Sequence, residues 1–260
     1  MKKLLVFGII LTLIFGAFMV TVVTAKPTVG YKKHLEKITF IHYKRGFAKP
    51  TCNNNGVCEP ELGEKKNCAD CKNGGEETSN CYGFISRGFK WKTTEDFYIN
   101  PANPDGLSSA FIKNIMIVAT DEWNKYTTFN IFGSAILDNS AGWGEYNEKN
   151  EISFGDYPQT GVIAVTNIWG YFSGPPGQRE ILEYDIMFDT DFTWGDATVI
   201  NMTMDLQNIA VHEFGHGAGM DDLYTTSCSL ETMYGYSTEG ETIKRDLHTG
   251  DIIGIQKLYA

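Results

Sequence analysis

Apolar residues recur along this chain in two rhythms, and both settle into a regular pattern only after Cys81. Between residues 107 and 126 the apolar positions 111, 112, 115, 118, 119 and 123 keep the three- and four-residue spacing of one helix face. Asn103-Pro104-Asp105-Gly106 supplies the turn chemistry that opens this helix. A second helix is predicted to begin near Thr203, with Asp205 favourable in its first turn, and to stop at Gly217 and Gly219. A third is predicted over 249–259, its apolar side made by Ile252, Ile255, Leu258 and Tyr259. Runs rich in β-branched and aromatic residues, broken by Gly, Pro and Asn, predict strands at 97–100, 129–132, 151–154, 162–168 and 184–188. Strands and helices interspersed in this way make residues 81–260 an α+β domain.

Before Cys81 the pattern fails in stages. Residues 26–51 are basic and irregular and contain Lys44-Arg45-Gly46 and Lys49-Pro50, so they read as a spacer or a short pro-segment. Residues 52–71, CNNNGVCEPELGEKKNCADC, hold four cysteines and almost nothing with which to build a core; bridges or a metal must staple such a small module. Residues 72–80, KNGGEETSN, are a glycine-rich acidic linker. At the start, Lys2 and Lys3 precede a charge-free apolar run from Leu4 to Val23, and Val23-Thr24-Ala25 offers small residues for cleavage. Residues 1–25 are therefore expected to be a signal peptide and the protein to be secreted, with an uncleaved anchor facing outside as the alternative.

Composition narrows the partners. The formal net charge is −10, and loss of Lys2 and Lys3 leaves the rest more acidic, which argues against a nucleic-acid backbone or an anionic membrane surface. Membrane association is expected only if the leader stays attached, and the chain is expected to be a monomer. An even count of six cysteines in an exported chain points to disulfides. Cys52, Cys58, Cys68 and Cys71 form a compact local set, with connectivity left open, so Cys81 and Cys228 are expected to pair.

The chemistry concentrates in residues 211–222, VHEFGHGAGMDD. On a helix, residues four apart lie roughly 40° apart around the axis and about 6 Å along it, so His212 and His216 can take adjacent corners of one tetrahedral zinc. Glu213 is too far round to join them easily as a ligand, yet it can reach a metal-activated water and take its proton. Two histidines on a helix are more often structural. The spaced triplet is uncommon, however, and Gly219 would turn the chain so that Asp222 returns to the same metal as third ligand.

This segment resembles the metzincin metallopeptidases through the pattern H-E-x-x-H-x-x-G-x-x-H/D, and the matrixin branch most of all. Thr232-Met233-Tyr234-Gly235-Tyr236 is similar to the Met-turn of that branch, and residues 247–260 to its closing helix. Asp121-Glu122-Trp123-Asn124, the stretches at 151–155, 161–164 and 184–188, and Trp194 are similar to its upstream signatures. The resemblance implies a twisted, mixed five-stranded sheet with three helices, here preceded by the Cys-rich module. It implies zinc on His212 and His216, Glu213 as general base, Met233 as an apolar floor, and a protein or peptide substrate extended along an edge strand near 162–166. Asp222 stands where matrixins carry His, although other metzincins use Asp. The surroundings of Val165 lack the histidines of a second zinc, so one zinc is expected, and no Pro-Arg-Cys-Gly latch precedes the domain. Asp185, Asp189, Asp191 and Asp196 could hold calcium or form a solvated acidic loop. The module resembles small Cys-rich repeats found beside secreted peptidase domains, and its Glu59, Glu61, Glu64 and Asp70 leave the same choice between calcium and a stapled spacer. Asn201-Met202-Thr203 is a glycosylation sequon.

The leading expectation is a zinc endopeptidase. A non-catalytic adhesion protein on the same fold is the rival, and Glu213 argues against it, since a metal shell alone needs no carboxylate there. An aminopeptidase with a distant Glu as third ligand is disfavoured by Gly219 and the Met-turn.

Overall fold

A computed structural model describes residues 33–47 and 81–259. The leader, the module with Cys52, Cys58, Cys68 and Cys71, and the linker lie outside the described residues. Among the described residues no helix is long and apolar enough to cross a membrane.

Among the described residues nine strands and three α-helices follow one another: β1 (Glu36–Lys44), β2 (Glu95–Ile99), α1 (Ser109–Asn124), β3 (Phe132–Leu137), β4 (Asn150–Gly155), β5 (Val162–Tyr171), β6 (Glu180–Asp189), β7 (Trp194–Gly195), β8 (Met204–Asp205), α2 (Leu206–Gly217), β9 (Tyr236–Ser237) and α3 (Thr249–Tyr259). Seven strands form one mixed sheet in the order β3-β2-β4-β6-β5-β1-β9, rather than the five expected. Five of the seven come from residues 95–189, in the part of the chain where strands are predicted. The additions are short β9 and, less foreseeably, β1, drawn from the segment that reads as an irregular spacer.

Local chemistry explains where the helices start. Ser108 caps α1 by accepting the N–H of Phe111 at 3.2 Å, and Asn103 Oδ1 accepts the N–H groups of Asp105 and Leu107 just before it. Met204 and Asp205 are spent on β8, which pairs with β7, so Asp205 becomes the N-cap of α2 instead of lying in its first turn. Its Oδ1 accepts the N–H of Asn208 at 2.8 Å. The strand expected at 129–132 lies later, at Phe132–Leu137. The end of α1 explains the shift: the N–H groups of Lys125, Tyr126 and Thr127 bond back to Asp121, Trp123 and Asn124, and this turn uses up the intervening residues.

One large apolar core lies between α1, α2, α3 and the sheet. Helix α2 runs through it, with every residue but Gln207 buried. Phe214 meets Phe97, Phe132 and Tyr184 edge-on, with centroids 5.1–6.0 Å apart. Trp123 of α1 is fully buried and donates its indole N–H to Val211 O at 2.7 Å, which sets the rotation of α2 about its axis. A second cluster gathers Tyr43, Val162, Val165, Met187, Tyr224, Tyr234 and Tyr236.

Cys81 and Cys228 are joined by a disulfide that closes a separation of 147 residues. It ties the start of the domain to the loop after α2. A loop of this length is costly to order without a cross-link, so the Cys81→Ala/Cys228→Ala double variant is expected to lose about 2–5 kcal/mol of stability. Urea unfolding measures this; a midpoint equal to that of the native chain would show that the bridge carries no stability.

Candidate metal centre

Helix α2 delivers three side chains to one place. His212, Glu213 and His216 are all buried, and the rings of His212 and His216 stand edge-on with centroids 4.9 Å apart. Each histidine turns Nδ1 toward a backbone carbonyl, His212 to Thr232 O at 2.8 Å and His216 to Met220 O at 3.0 Å. A carbonyl can only accept, so the ring proton sits on Nδ1 and Nε2 presents its lone pair.

The chain then has to come back. Gly219 follows α2 with φ +98°, a left-handed conformation, and a Cβ there would stand 2.7 Å from Phe89 O. Glycine alone meets both conditions cheaply. The turn carries Asp222 to the histidines, with Oδ1 3.2 Å from His212 Nε2 and 3.4 Å from His216 Nε2. Tyr224 O–H donates to Asp222 Oδ2 at 2.7 Å and so aims Oδ1 inward. Asp221 turns away: its Oδ1 accepts the N–H of Asp222, and its Cβ faces Gly83. Ligand atoms of His212, His216 and Asp222 therefore lie within 4.8 Å of one another.

Electrostatics support a cation between them. Burial pushes the His212 imidazole down to about 4, so it is neutral. Burial also works against ionised Asp222, but His216 and His212 beside it hold its carboxyl well below the usual range. His216 is raised despite burial, because Asp222 faces it. The lone pair of His212 Nε2 meets a carboxylate oxygen, and both atoms are buried without a hydrogen-bond partner. Two acceptors face to face in a dry site suit a metal ion, and two imidazoles plus one carboxylate suit zinc.

Met233 lies beneath. It is fully buried, and the close approach of α2 is possible because residue 215 is glycine: a Cβ there would stand 2.2 Å from Met233 Sδ and 2.6 Å from the Trp123 ring. Asp251 at the start of α3 accepts the N–H groups of Thr232 and Met233 at 2.7 and 3.1 Å, fixing the turn that also receives His212 Nδ1–H.

Glu213 points to the sheet. Thr166 of β5 donates its hydroxyl to Oε2 at 2.5 Å, and burial raises the carboxyl of Glu213. Its Oε1 lies 3.1 Å from Nδ1 of His42, a residue of β1 that sequence reasoning missed. The His42 ring is 4.0 Å from that of His212, and Phe40 stacks on His216 at 4.0 Å. The available signal was the run Ile38-Thr39-Phe40-Ile41-His42-Tyr43, β-branched and aromatic throughout, which places 38, 40 and 42 on one face of a strand.

The stretch at 162–166, expected to be an edge open to substrate, is not an edge. Strand β1 pairs antiparallel along it, with Ile41 opposite Val165 and His42 opposite Ala164. Of the aspartates suggested for calcium, Asp189 and Asp191 come together with Asp156. Asp185 lies apart, accepting Gly144 N–H at 2.8 Å, and Asp196 pairs with Arg245 at 2.6 Å.

The matrixin family model matches residues 90–260. No curated protein matches the chain.

Proposed function

Because the chain belongs to the matrixin family of zinc metallopeptidases, we propose that it is a secreted endopeptidase with His212, His216 and Asp222 as zinc ligands and Glu213 as general base. The observation that carries this is the convergence of His212 Nε2, His216 Nε2 and Asp222 Oδ1 beside a carboxylate that is not needed to complete the ligand set. Bound there, zinc supplies Lewis acidity and lowers the pKa of a water toward neutrality. Glu213 accepts the proton of the attacking water on a carboxylate oxygen and passes it to the leaving amine. Thr166 Oγ1–H holds Oε2 in place, so the carboxylate meets the substrate in one orientation. The carbonyls of Thr232 and Met220 keep the two imidazoles in the ligating tautomer. Met233 and Trp123 exclude water from below. The apolar leader at 4–23 supports export. Retention of Glu213 weighs against a purely adhesive role.

The purified chain is expected to retain one zinc per molecule after dialysis. Hydrolysis of casein or gelatin is expected to stop on chelation and to return with zinc, assayed for the native chain and for His42→Ala, in which Glu213 is uncovered. A chain with no zinc, or hydrolysis that persists when metal analysis finds none, would exclude this reading.

A further inference from the structure

Many cations of this acidic chain have a carboxylate partner. Lys33 and Lys92 reach Glu180, Lys44 reaches Glu239, Arg45 reaches Glu241, Lys125 reaches Glu122 and Lys149 reaches Asp138. Arg87, Lys90 and Lys257 have no ion pair among the described residues, yet all three line one cavity of about 540 Å³. Tyr82, Phe84 and Pro176 complete most of its wall, and neither Asp nor Glu is part of it. With a formal net charge of −10 on the chain, three cations gathered without a carboxylate run against the general balance.

Local structure holds these charges in place. Lys90 Nζ donates to Leu258 O at 2.6 Å, satisfying a carbonyl at the C-terminal end of α3. Lys257 Nζ donates to the Tyr82 hydroxyl at 2.6 Å and stands 4.8 Å over that ring. An ammonium carries three N–H groups, so each lysine has donors beyond these bonds. Arg87 is exposed, and its carbonyl accepts Arg179 Nη1–H at 2.7 Å, which pins the loop that carries it. Gly88 has φ +77°, and a Cβ there would stand 2.9 Å from Pro176 Cβ, so the rim closes only on glycine. The segment lining the cavity also borders the metal centre. Asp221 N–H donates to Gly83 O and Ile85 N–H to Gly219 O, both at 3.1 Å, and Phe84 bridges Met220, so residues 83–85 run beside the turn that delivers Asp222.

We propose that this cavity is a second contact site for substrate, which takes an acidic stretch of the protein to be cleaved. This rests on the peptidase reading and names a substrate class for it. The three cations are spread around a cavity far larger than one phosphate fills, and the rings of Tyr82 and Phe84, 5.6 Å apart, give it an apolar wall. That combination suits a run of carboxylate side chains on a peptide better than a compact anion. Exposed charges act over about 10 Å at 0.1 M salt, so the cations steer an acidic partner toward the domain as well as hold it.

The test uses the full chain, the double variant Arg87→Glu/Lys257→Glu, and the control Lys37→Glu/Lys113→Glu, which changes the net charge equally at cations outside the cavity. A fluorescent peptide of Glu and Gly residues is the probe, its counterpart with Gln in place of Glu the blank, and binding is followed by anisotropy. Native chain and control are expected to bind the Glu peptide alone, more weakly as salt is raised. The cavity variant is expected to bind it at least about tenfold more weakly, because like charges are then brought together. In the second arm the unlabelled Glu peptide is expected to inhibit hydrolysis of a protein that carries a Glu-rich stretch and not of a short neutral peptide. Equal affinity in cavity variant and control, binding of a sulfated oligosaccharide but not of the Glu peptide, or equal inhibition of both substrates would overturn the proposal and leave the peptidase reading standing. Binding at the cavity by a chain that holds no zinc would overturn the peptidase reading and, with it, the substrate role.

Discussion

Glu213→Ala is expected to leave zinc content unchanged and to remove about two to four orders of magnitude of peptidase activity, the usual worth of a positioned general base. The separation of effects follows from geometry. In the proposed centre the ligand atoms are those of His212, His216 and Asp222, whereas Glu213 spends its oxygens on Thr166 and His42. Truncation to alanine removes the proton acceptor and leaves the tautomer-fixing bonds of both histidines intact. Burial also raises the Glu213 carboxyl, which makes it a better base for a proton taken from water than an exposed glutamate would be. The comparison is made in the native and His42→Ala backgrounds with casein or gelatin as substrate, with metal analysis alongside. Undiminished hydrolysis by the alanine variant would remove the assigned role of Glu213.

The second large effect is expected at Asp222. Asp222→Ala removes the inward-facing oxygen 3.2 Å and 3.4 Å from the two imidazole nitrogens. Zinc affinity should fall by more than the roughly 10- to 100-fold that loss of an outer hydrogen-bond partner costs a metal site. Asp221→Ala should retain zinc, because that carboxylate accepts a backbone N–H and its Cβ faces Gly83. Asp222→His should keep metal but change its charge. Two neutral histidines and a carboxylate leave the centre near +1, while three histidines leave it near +2, which makes the bound water more acidic. The acidic limb of the pH profile should then move to lower pH. Equal zinc content in Asp222→Ala and native protein after dialysis would place the third ligand elsewhere.

Much of this centre was legible before folding because its parts are close in sequence. His216 lies four positions beyond His212 on one helix, and Asp222 lies three beyond Gly219; such short-range relations follow from helix pitch and from the freedom of glycine. The partnership of Cys81 with Cys228 could be reached by elimination, since the other four cysteines fall within 52–71. Boundaries were less accessible. Asp205 serves as N-cap instead of a first-turn residue because β8 claims it, and β3 begins late because the end of α1 winds into a hydrogen-bonded turn. Both shifts come from competition between neighbouring elements for the same residues, which a periodicity does not express.

Local pattern determined the helix that carries His212 and His216, its stop and the returning aspartate, because each depends on residues within a turn or two of one another. Tertiary structure alone decided that residues 36–44 join the sheet, that β5 has no free edge, and that His42 and Thr166 meet Glu213. Ile38, Phe40 and His42 announce a strand face but not its partner. The pairing spans more than a hundred residues, and strands carry no local record of which neighbour will satisfy their N–H and C=O groups. Only the sheet as assembled, in which β1 finds β5 on one side and β9 on the other, selects the register that brings the His42 imidazole to Glu213 and His212.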